Sequence, residues 1–312
     1  MVSSPVENKE RAVMKISRSA LHFTGFYLFY MISWPLLRLP LRVLYLLSDL
    51  LFLVFYYFPG YRKGVVLENL RNSFPEKSEN EIRSISRKFY HHLCDSFIEA
   101  FAASGMSREE MERRCVWKNL ELLDKYYENG RSLIAVFGHY GNWEWLSVLP
   151  LYTKFRVLAL YKPLSNIWFD RFIKNLRQKF GLIAVPLIRS YPMMLEYQNI
   201  NVQTISFFMG DQRPRQRHIK YWTVFLNRKT PVMLGTEQIA KRLDQSVVFF
   251  SMRKLRRGYY EVEILDVVDK PRSTEEHEIT EQHIRLLENQ IRQRPEYWLW
   301  THKRWKHKPE DN

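Results

Sequence analysis

Six short apolar runs punctuate the chain from residue 132 onward, and they constrain its fold more than any other feature. They are Ser132–Phe137, Phe155–Tyr161, Leu182–Val185, Thr204–Met209, Val247–Met252 and Tyr259–Val268. Each reads as a buried strand. Helical patterns lie between several of them, over 142–149, 166–180, 231–243 and 277–293. Strands alternating with helices predict an α/β fold with a mostly parallel sheet flanked by helices on both faces. Upstream, residues 79–105 place Ile82, Ile85, Phe89, Leu93, Phe97 and Ile98 near helical spacing, and 108–129 read as helix as well. No internal repeat, low-complexity segment or flexible linker interrupts the pattern. The 312 residues are enough to bury a full core without disulfides or metal. With 46% hydrophobic and 26% charged residues, a mainly disordered chain and a polytopic membrane protein are both excluded. Two cysteines, Cys94 and Cys115, exclude a disulfide framework and a cysteine-rich zinc site and fit a reducing compartment. Cys94 falls inside a helical pattern and reads as structural.

The first sixty residues are of another kind. Residues 1–20 are polar and basic, with Lys9, Arg11, Lys15 and Arg18. Residues 21–61 are nearly all apolar or aromatic. Leu21–Leu37 has no charge, Arg38 and Arg42 interrupt, and Val43–Tyr61 carries only Asp49. Each piece is near the lower limit of about 20 residues for a membrane-spanning helix. A secretory signal peptide fits poorly, because the apolar region is too long and no small-residue cleavage site follows. Two readings stand: a membrane anchor, or a pair of buried core helices. Trp34, Tyr45, Tyr56 and Tyr57 favour the anchor, since such aromatics decorate membrane interfaces. Basic residues at both ends place both flanks on the cytoplasmic side, which a shallow hairpin or an in-plane helix satisfies better than one span. The expected organisation is a basic N-terminus over 1–20, an anchoring helical region over 21–61, and one catalytic domain over 62–312.

Lys and Arg number 48 against 33 Asp and Glu, a net charge of +15. Such a balance implies an anionic partner: nucleic acid, anionic lipid or an acidic carrier protein. Nucleic acid is disfavoured, because the basic residues are dispersed and no nucleic-acid-binding motif is present. The loop Arg213–Lys220 is either a contact for phosphates or for an acidic carrier, or a solvated loop. Lys254–Arg257 reads as a hairpin turn. Trp298, Trp300 and Trp305 interleave with Lys303, Arg304 and Lys306 as an interfacial belt, as core packing, or as a mixture. Met193 and Met194 read as core rather than as an acyl channel.

The densest chemical signal follows the first strand: Gly138-His139-Tyr140-Gly141-Asn142-Trp143-Glu144. In open α/β sheets reactive groups gather beyond the carboxyl ends of the strands. Asn142 is placed to cap the next helix, with Trp143 and Glu144 in its first turn. On a single helix His139 and Glu144 would stand about 140° apart. They meet only if His139 lies on the preceding turn. Glu144 would then orient the imidazole and leave its other nitrogen as a general base. The spacing is not that of a zinc protease, which needs two histidines four apart.

That block resembles the His–four residues–acid block of the late, or secondary, lipid A biosynthesis acyltransferases, within the lysophospholipid acyltransferase superfamily. Further segments resemble the same family in the same order. They are Asn69-Leu70 with Phe74-Pro75-Glu76, Tyr161-Lys162-Pro163 followed by Asp170 and Arg177, Asp211-Gln212, Gly235-Thr236 with Ile239-Ala240, and Pro295 to Lys306. The loop Arg213-Pro214-Arg215-Gln216-Arg217-His218 and the strand end Phe225-Leu226-Asn227 depart from the family pattern, which bears on acceptor identity. The resemblance implies a glycerolipid acyltransferase-like fold and a membrane-bound enzyme at the bacterial inner membrane, its catalytic domain on the cytoplasmic face. The implied reaction moves an acyl chain from an acyl-carrier-protein thioester to a hydroxyl of a lipid A precursor, or of another glycolipid, aminolipid or lysophospholipid. His139 would be the base and Glu144 its orienting acid. Arg177 would meet the acceptor phosphate or the oxyanion. Asn142, Asp211 and Gln212 are the weaker candidates for binding substrate and ordering the site. The implied partners are the acyl carrier protein, the acceptor lipid and membrane lipids. A thioester is already activated, so no metal or other cofactor is expected.

Overall fold

The computed structural model describes residues 23–308, apart from 29, 32, 33, 37, 38 and 59. The basic segment 1–20 and Arg38 lie outside the described residues. Three helices open the described fold: α1 (Leu41–Tyr57), α2 (Lys63–Ser73) and α3 (Glu79–Ala102). Ser78 starts α3 through a capping box with Glu81. Then follow α4 (Arg108–Arg114), β1 (Cys115–Lys118), α5 (Leu120–Glu128), β2 (Leu133–Phe137), a 3₁₀ segment (Trp143–Leu151), β3 (Arg156–Tyr161), α6 (Ile167–Gln178) and β4 (Ile183–Pro186). The chain continues through α7 (Ser190–Asn199), β5 (Thr204–Met209), β6 (Trp222–Phe225), β7 (Arg228–Pro231), α8 (Gly235–Leu243), β8 (Ser246–Arg256), β9 (Tyr259–Val268) and α9 (Glu278–Gln293).

Seven strands form one sheet in the order β1-β9-β8-β2-β5-β3-β4. Only β8 and β9 pair antiparallel; the other neighbours are parallel. The expected mostly parallel sheet is therefore present. β2 is central and buried along its whole length. Its side chains alternate between two cores, as a strand's period of two requires. Ile134 and Val136 pack with α2, α3, α8 and α9, while Leu133, Ala135 and Phe137 pack with α4, α5 and the 3₁₀ segment.

Two expected helices differ. The pattern over 108–129 is broken by β1, whose Cys115 and Trp117 are buried while Val116 and Lys118 are exposed. Asn119 then turns the chain with φ +61°. A period of two inside a longer polar stretch had been absorbed into the helical reading. Residues 143–151 wind as a 3₁₀ helix with Pro150 inside it, so the loop after β2 tightens rather than opening an α-helix. The β6–β7 hairpin was not anticipated.

α1 seats Leu41, Leu44, Tyr45, Ser48 and Phe52 inward, while Val43, Leu46, Leu50, Leu53 and Val54 face outward and are exposed. Among the described residues no helix is long and apolar enough to cross a membrane. Asp49, the lone acid of this apolar stretch, accepts from Arg257 at 2.5 Å. Arg257 also donates to Asp95 of α3, 2.9 Å from its Nε, and Ser48 Oγ donates to the same carboxylate at 2.8 Å. The β8–β9 turn therefore does structural work beyond reversing the chain: its cation ties α1 to α3. Residues 23–28 are helical too, and their Phe26 packs edge-on against Phe169 of α6 with ring centroids 5.3 Å apart.

Gly258 makes that turn with φ +76°, and a Cβ there would come within 2.2 Å of Tyr45 Oη. Gly258→Ala is expected to lower stability by about 1–3 kcal/mol through backbone strain. Thermal unfolding of the purified protein measures it. An unchanged midpoint would show that α1 is not fixed by this turn.

Candidate active site

β2 and β5 are parallel neighbours, with Phe137 opposite Met209 at their carboxyl ends. Continuing that register two residues brings His139 opposite Asp211, and the two side chains meet. His139 Nδ1 lies 2.7 Å from Asp211 Oδ1, and the His139 backbone N–H donates to Oδ2 at 2.8 Å. Trp298 Nε1 donates to the same Oδ2 at 2.9 Å. Gly138 permits the approach: a Cβ there would stand 2.6 Å from Leu287 Cδ1 and 3.3 Å from Asp211 Oδ2.

The electrostatics follow from this contact. Burial alone would raise the Asp211 carboxyl. The charge of His139 and the three donated hydrogen bonds outweigh it and hold the group down at about 2. Burial likewise works against the imidazolium of His139, but the Asp211 carboxylate, by charge and hydrogen bond, raises its proton affinity above the usual histidine value. An ionised Asp211 accepts a hydrogen bond from Nδ1–H, which leaves Nε2 as the unprotonated nitrogen of the neutral ring. The Gln212 side-chain amide sits 3.2 Å from that nitrogen, and Trp143 lies edge-on to the ring at 5.0 Å.

The C-terminal segment pins this loop. Gly141 N–H donates to Tyr297 C=O at 2.9 Å, Leu299 N–H to His139 C=O at 3.1 Å, and Tyr140 bridges to Trp298. Beneath it, Asn142 Nδ2 donates to Glu99 Oε2 at 2.9 Å. Glu99 is fully buried, and its carboxylate also accepts from Tyr260 Oη at 2.7 Å and from Tyr45 Oη of α1 at 2.9 Å.

Nε2 of His139 faces a cavity of about 660 Å³. Its lining is mixed: Glu144, Arg177, Gln212, Arg213, Lys162 and Asp170 are polar, while Leu160, Ile173, Leu187, Phe207 and Met233 are apolar. Glu144 and Arg177 form a two-point ion pair in this lining, with Arg177 Nε 2.9 Å from Oε2 and Nη2 on Oε1. Burial opposes the Arg177 charge, and the Glu144 hydrogen bonds overcome it, so its proton affinity is raised. A second cavity of about 430 Å³ shares Glu144 and Ile173 with the first. A third, of about 580 Å³, shares Phe97, Ala100, Ile173 and Leu176 with the second and runs out to Leu44, Leu47 and Leu51 of α1. Three cavities in series thus lead from His139 to the apolar N-terminal helix.

A family model described as bacterial lipid A biosynthesis acyltransferase matches residues 12–307. The chain belongs to this family. It is also 26% identical over 113 residues to lipid A biosynthesis acyltransferase 2 of Shigella flexneri, an alignment that covers 36% of this chain and 36% of that one. The match to that relative therefore spans about a third of its length.

In this family member the structure brings together five of the six residues singled out in the sequence, all but Asn142, and not in the expected pairs. Asp211, and not Glu144, holds Nδ1 of His139. The 3₁₀ winding turns Glu144 toward α6, where Arg177 takes both its oxygens. Arg177 is accordingly not an unpaired cation. Asn142 precedes the 3₁₀ segment without a side-chain cap and reaches inward to Glu99 instead. Trp298 and Glu99 were not singled out as site residues. Of the C-terminal tryptophans, Trp298 and Trp300 are buried, and the half-buried Trp305 packs against the same core and donates to the buried Thr230 at 2.7 Å. Met194 is core. Asp49, His91 and Asp95 come within 4.8 Å of one another, as metal ligands do, but the Arg257 guanidinium already occupies both carboxylates.

Asp211→Asn is expected to lower the His139 proton affinity, because the charge that raises it is gone. Histidine-selective ¹⁵N NMR of the purified protein reads this directly. Glu144→Gln is expected to move the same titration less. The reverse order would return the orienting role to Glu144.

Proposed function

We propose that this chain moves a fatty acyl group from an acyl-carrier-protein thioester to a hydroxyl of a lipid A precursor. The observation that carries the reading is the His139–Asp211 pair at the edge of a cavity of mixed polar and apolar lining, with Nε2 contacted by the Gln212 amide. The acceptor hydroxyl gives its proton to Nε2 as its oxygen attacks the thioester carbonyl carbon. The tetrahedral oxyanion then collapses, the C–S bond breaks, and the imidazolium returns the proton to the leaving thiolate. The products are an ester and a free carrier thiol. Asp211 supports the imidazolium that forms between the two steps.

The remaining residues fit that chemistry. Arg177, held rigid by Glu144, is the candidate for the acceptor phosphate or the oxyanion, with Lys162 and Arg213 in the lining of the same cavity. Gln212 orders the groups around Nε2. The apolar cavities beyond Ile173 suit an acyl chain, since their lining is hydrocarbon and aromatic. The Arg213–His218 loop borders the site where this sequence departs from the family pattern, and it is the part expected to select among acceptors. Residues 21–61 are read as the anchoring region of an inner-membrane protein whose domain over 62–312 works on the cytoplasmic face. The exposed apolar face of α1 would then lie in the plane of the interface. The net charge of +15 suits both an anionic lipid surface and an acidic carrier.

The test is mass spectrometry of lipid A and other lipids after deletion of the gene and its restoration as wild type or His139→Ala. Lipid A is expected to lose one acyl chain, with restoration by wild type alone. In purified form His139→Ala should lose about 10²–10⁴-fold in rate while remaining folded. Loss of a chain from another glycolipid, an aminolipid or a phospholipid would keep the reaction and replace the acceptor. A variant retaining more than about a tenth of the rate would overturn the role of His139.

A further inference from the structure

Behind Asp211, on the side away from the substrate cavity, the core holds a second charged side chain that the reaction does not explain. Arg304 is 2% exposed, and its Nε and Nη1 have no hydrogen-bond partner. His283 of α9 is 3% exposed, and its Nε2 is likewise without one. Both line a small space of about 10 Å³ together with Asp211, Gly210, Phe225 and Leu287. A Cβ at Gly210 would stand 3.5 Å from His283 Cε1, so the glycine leaves that ring its place.

A guanidinium in an apolar core is costly unless its charge and its donors are answered. Burial pulls the Arg304 proton affinity down to about 10, and the charge that resists this is that of Asp211. Burial also holds His283 neutral, with its pKa lowered to about 4. The space between them has the size of one water molecule, and it offers the two to four polar partners a buried water needs.

We propose that one water molecule occupies this space and that Arg304, acting through it, is the buried counter-charge that positions and tunes the Asp211–His139 pair. The water accepts from Arg304 Nε and Nη1 and donates to Asp211 and to His283 Nε2. Every orphaned atom is then satisfied. Arg304 is a positioning residue, since it touches neither substrate nor the reacting nitrogen. Its positive charge offsets part of the Asp211 field at His139 and keeps the imidazole from holding its proton too tightly to act as a base. The other groups around His139 are Glu144 and Arg177, which neutralise each other, His302, whose pKa burial lowers to about 4, and Tyr161, Lys162, Asp170 and Arg213, which line the same cavity.

The inference rests on the general-base reading of His139 for its consequence in catalysis, but not for its test. Full-length protein in detergent, labelled with ¹⁵N-histidine and assigned by loss of the His139 signals in His139→Gln, is titrated as wild type, Arg304→Lys and Arg304→Gln. Arg304→Gln is expected to raise the His139 titration midpoint, and to move the acid limb of kcat/KM to higher pH by the same amount. Arg304→Lys, which keeps the charge, is expected to stay closer to wild type. A crystal structure of the wild-type protein is expected to show an ordered water within hydrogen-bond distance of Arg304, His283 and Asp211, and it decides the water even if Arg304→Gln does not fold. A folded Arg304→Gln that titrates like wild type, or a space without water density, overturns the proposal. Absence of lipid acylation by wild type alongside the expected midpoint shift would sink the proposed function and leave this inference standing.

Discussion

The Asp211 carboxylate is the point on which the site depends. It is 6% exposed and receives three hydrogen bonds, two from His139 and one from Trp298. A buried carboxylate so bound stays ionised and fixes whatever binds it. That geometry comes from the sheet. β2 and β5 run parallel in a register that sets Phe137 against Met209, so the second residue past each strand end must meet its counterpart. A slip of one residue would send His139 to the other face of the sheet. The two full cores on either side of β2 make such a slip expensive, which is how apolar packing far from the chemistry guarantees a contact between two polar groups.

A second set of polar contacts links the site to the N-terminal helix. Glu99 binds Asn142 of the catalytic loop, Tyr260 of the sheet and Tyr45 of α1 on one buried carboxylate. One turn earlier on α3, Asp95 binds Ser48 of α1 and Arg257 of the β8–β9 turn. The apolar helix is thus joined to the catalytic loop through directional bonds as well as through packing. Under the proposed function, the element that meets the lipid and the loop that bears His139 are parts of one rigid assembly.

Much of this was legible in the sequence, and the limits have physical causes. The six apolar runs marked six of the seven strands of the main sheet, because buried parallel strands are continuous hydrophobic runs bounded by polar residues. β1 escaped because four residues alternating buried and exposed do not stand out against a helical background. The place after strand ends and the family resemblance single out His139, Glu144, Arg177, Asp211 and Gln212, and the structure sets these five close together. Their pairing was not legible. Glu144 is five residues from His139 and Asp211 is 72 away, and local spacing favours the nearer acid. The decisive information is strand order: β5 neighbours β2, and each carries its polar residue two positions past its end. Counting from both strand ends would have found the pair. Trp298 and Glu99 left no comparable signal, since a C-terminal tryptophan and a helical glutamate are indistinguishable from core and surface until the tertiary contacts exist.

Glu144 and Arg177 line the same cavity as His139, and their pairing changes how an anionic acceptor would be received. An unpaired arginine would bind phosphate strongly in both ground and transition states, which lowers KM without helping the chemical step. With its charge already answered by Glu144, Arg177 offers a fixed direction more than a net field. Attraction of the headgroup then falls to Lys162, Arg213 and the basic loop beyond it, where the charges are closer to solvent. His139 gains from the same arrangement. A bare cation beside the ring would depress the proton affinity that Asp211 raises, whereas the pair leaves Asp211 as the dominant field. Under the proposed function, the site would therefore separate two tasks that conflict if one cation serves both: holding a phosphate, and leaving the imidazole basic enough to take a proton.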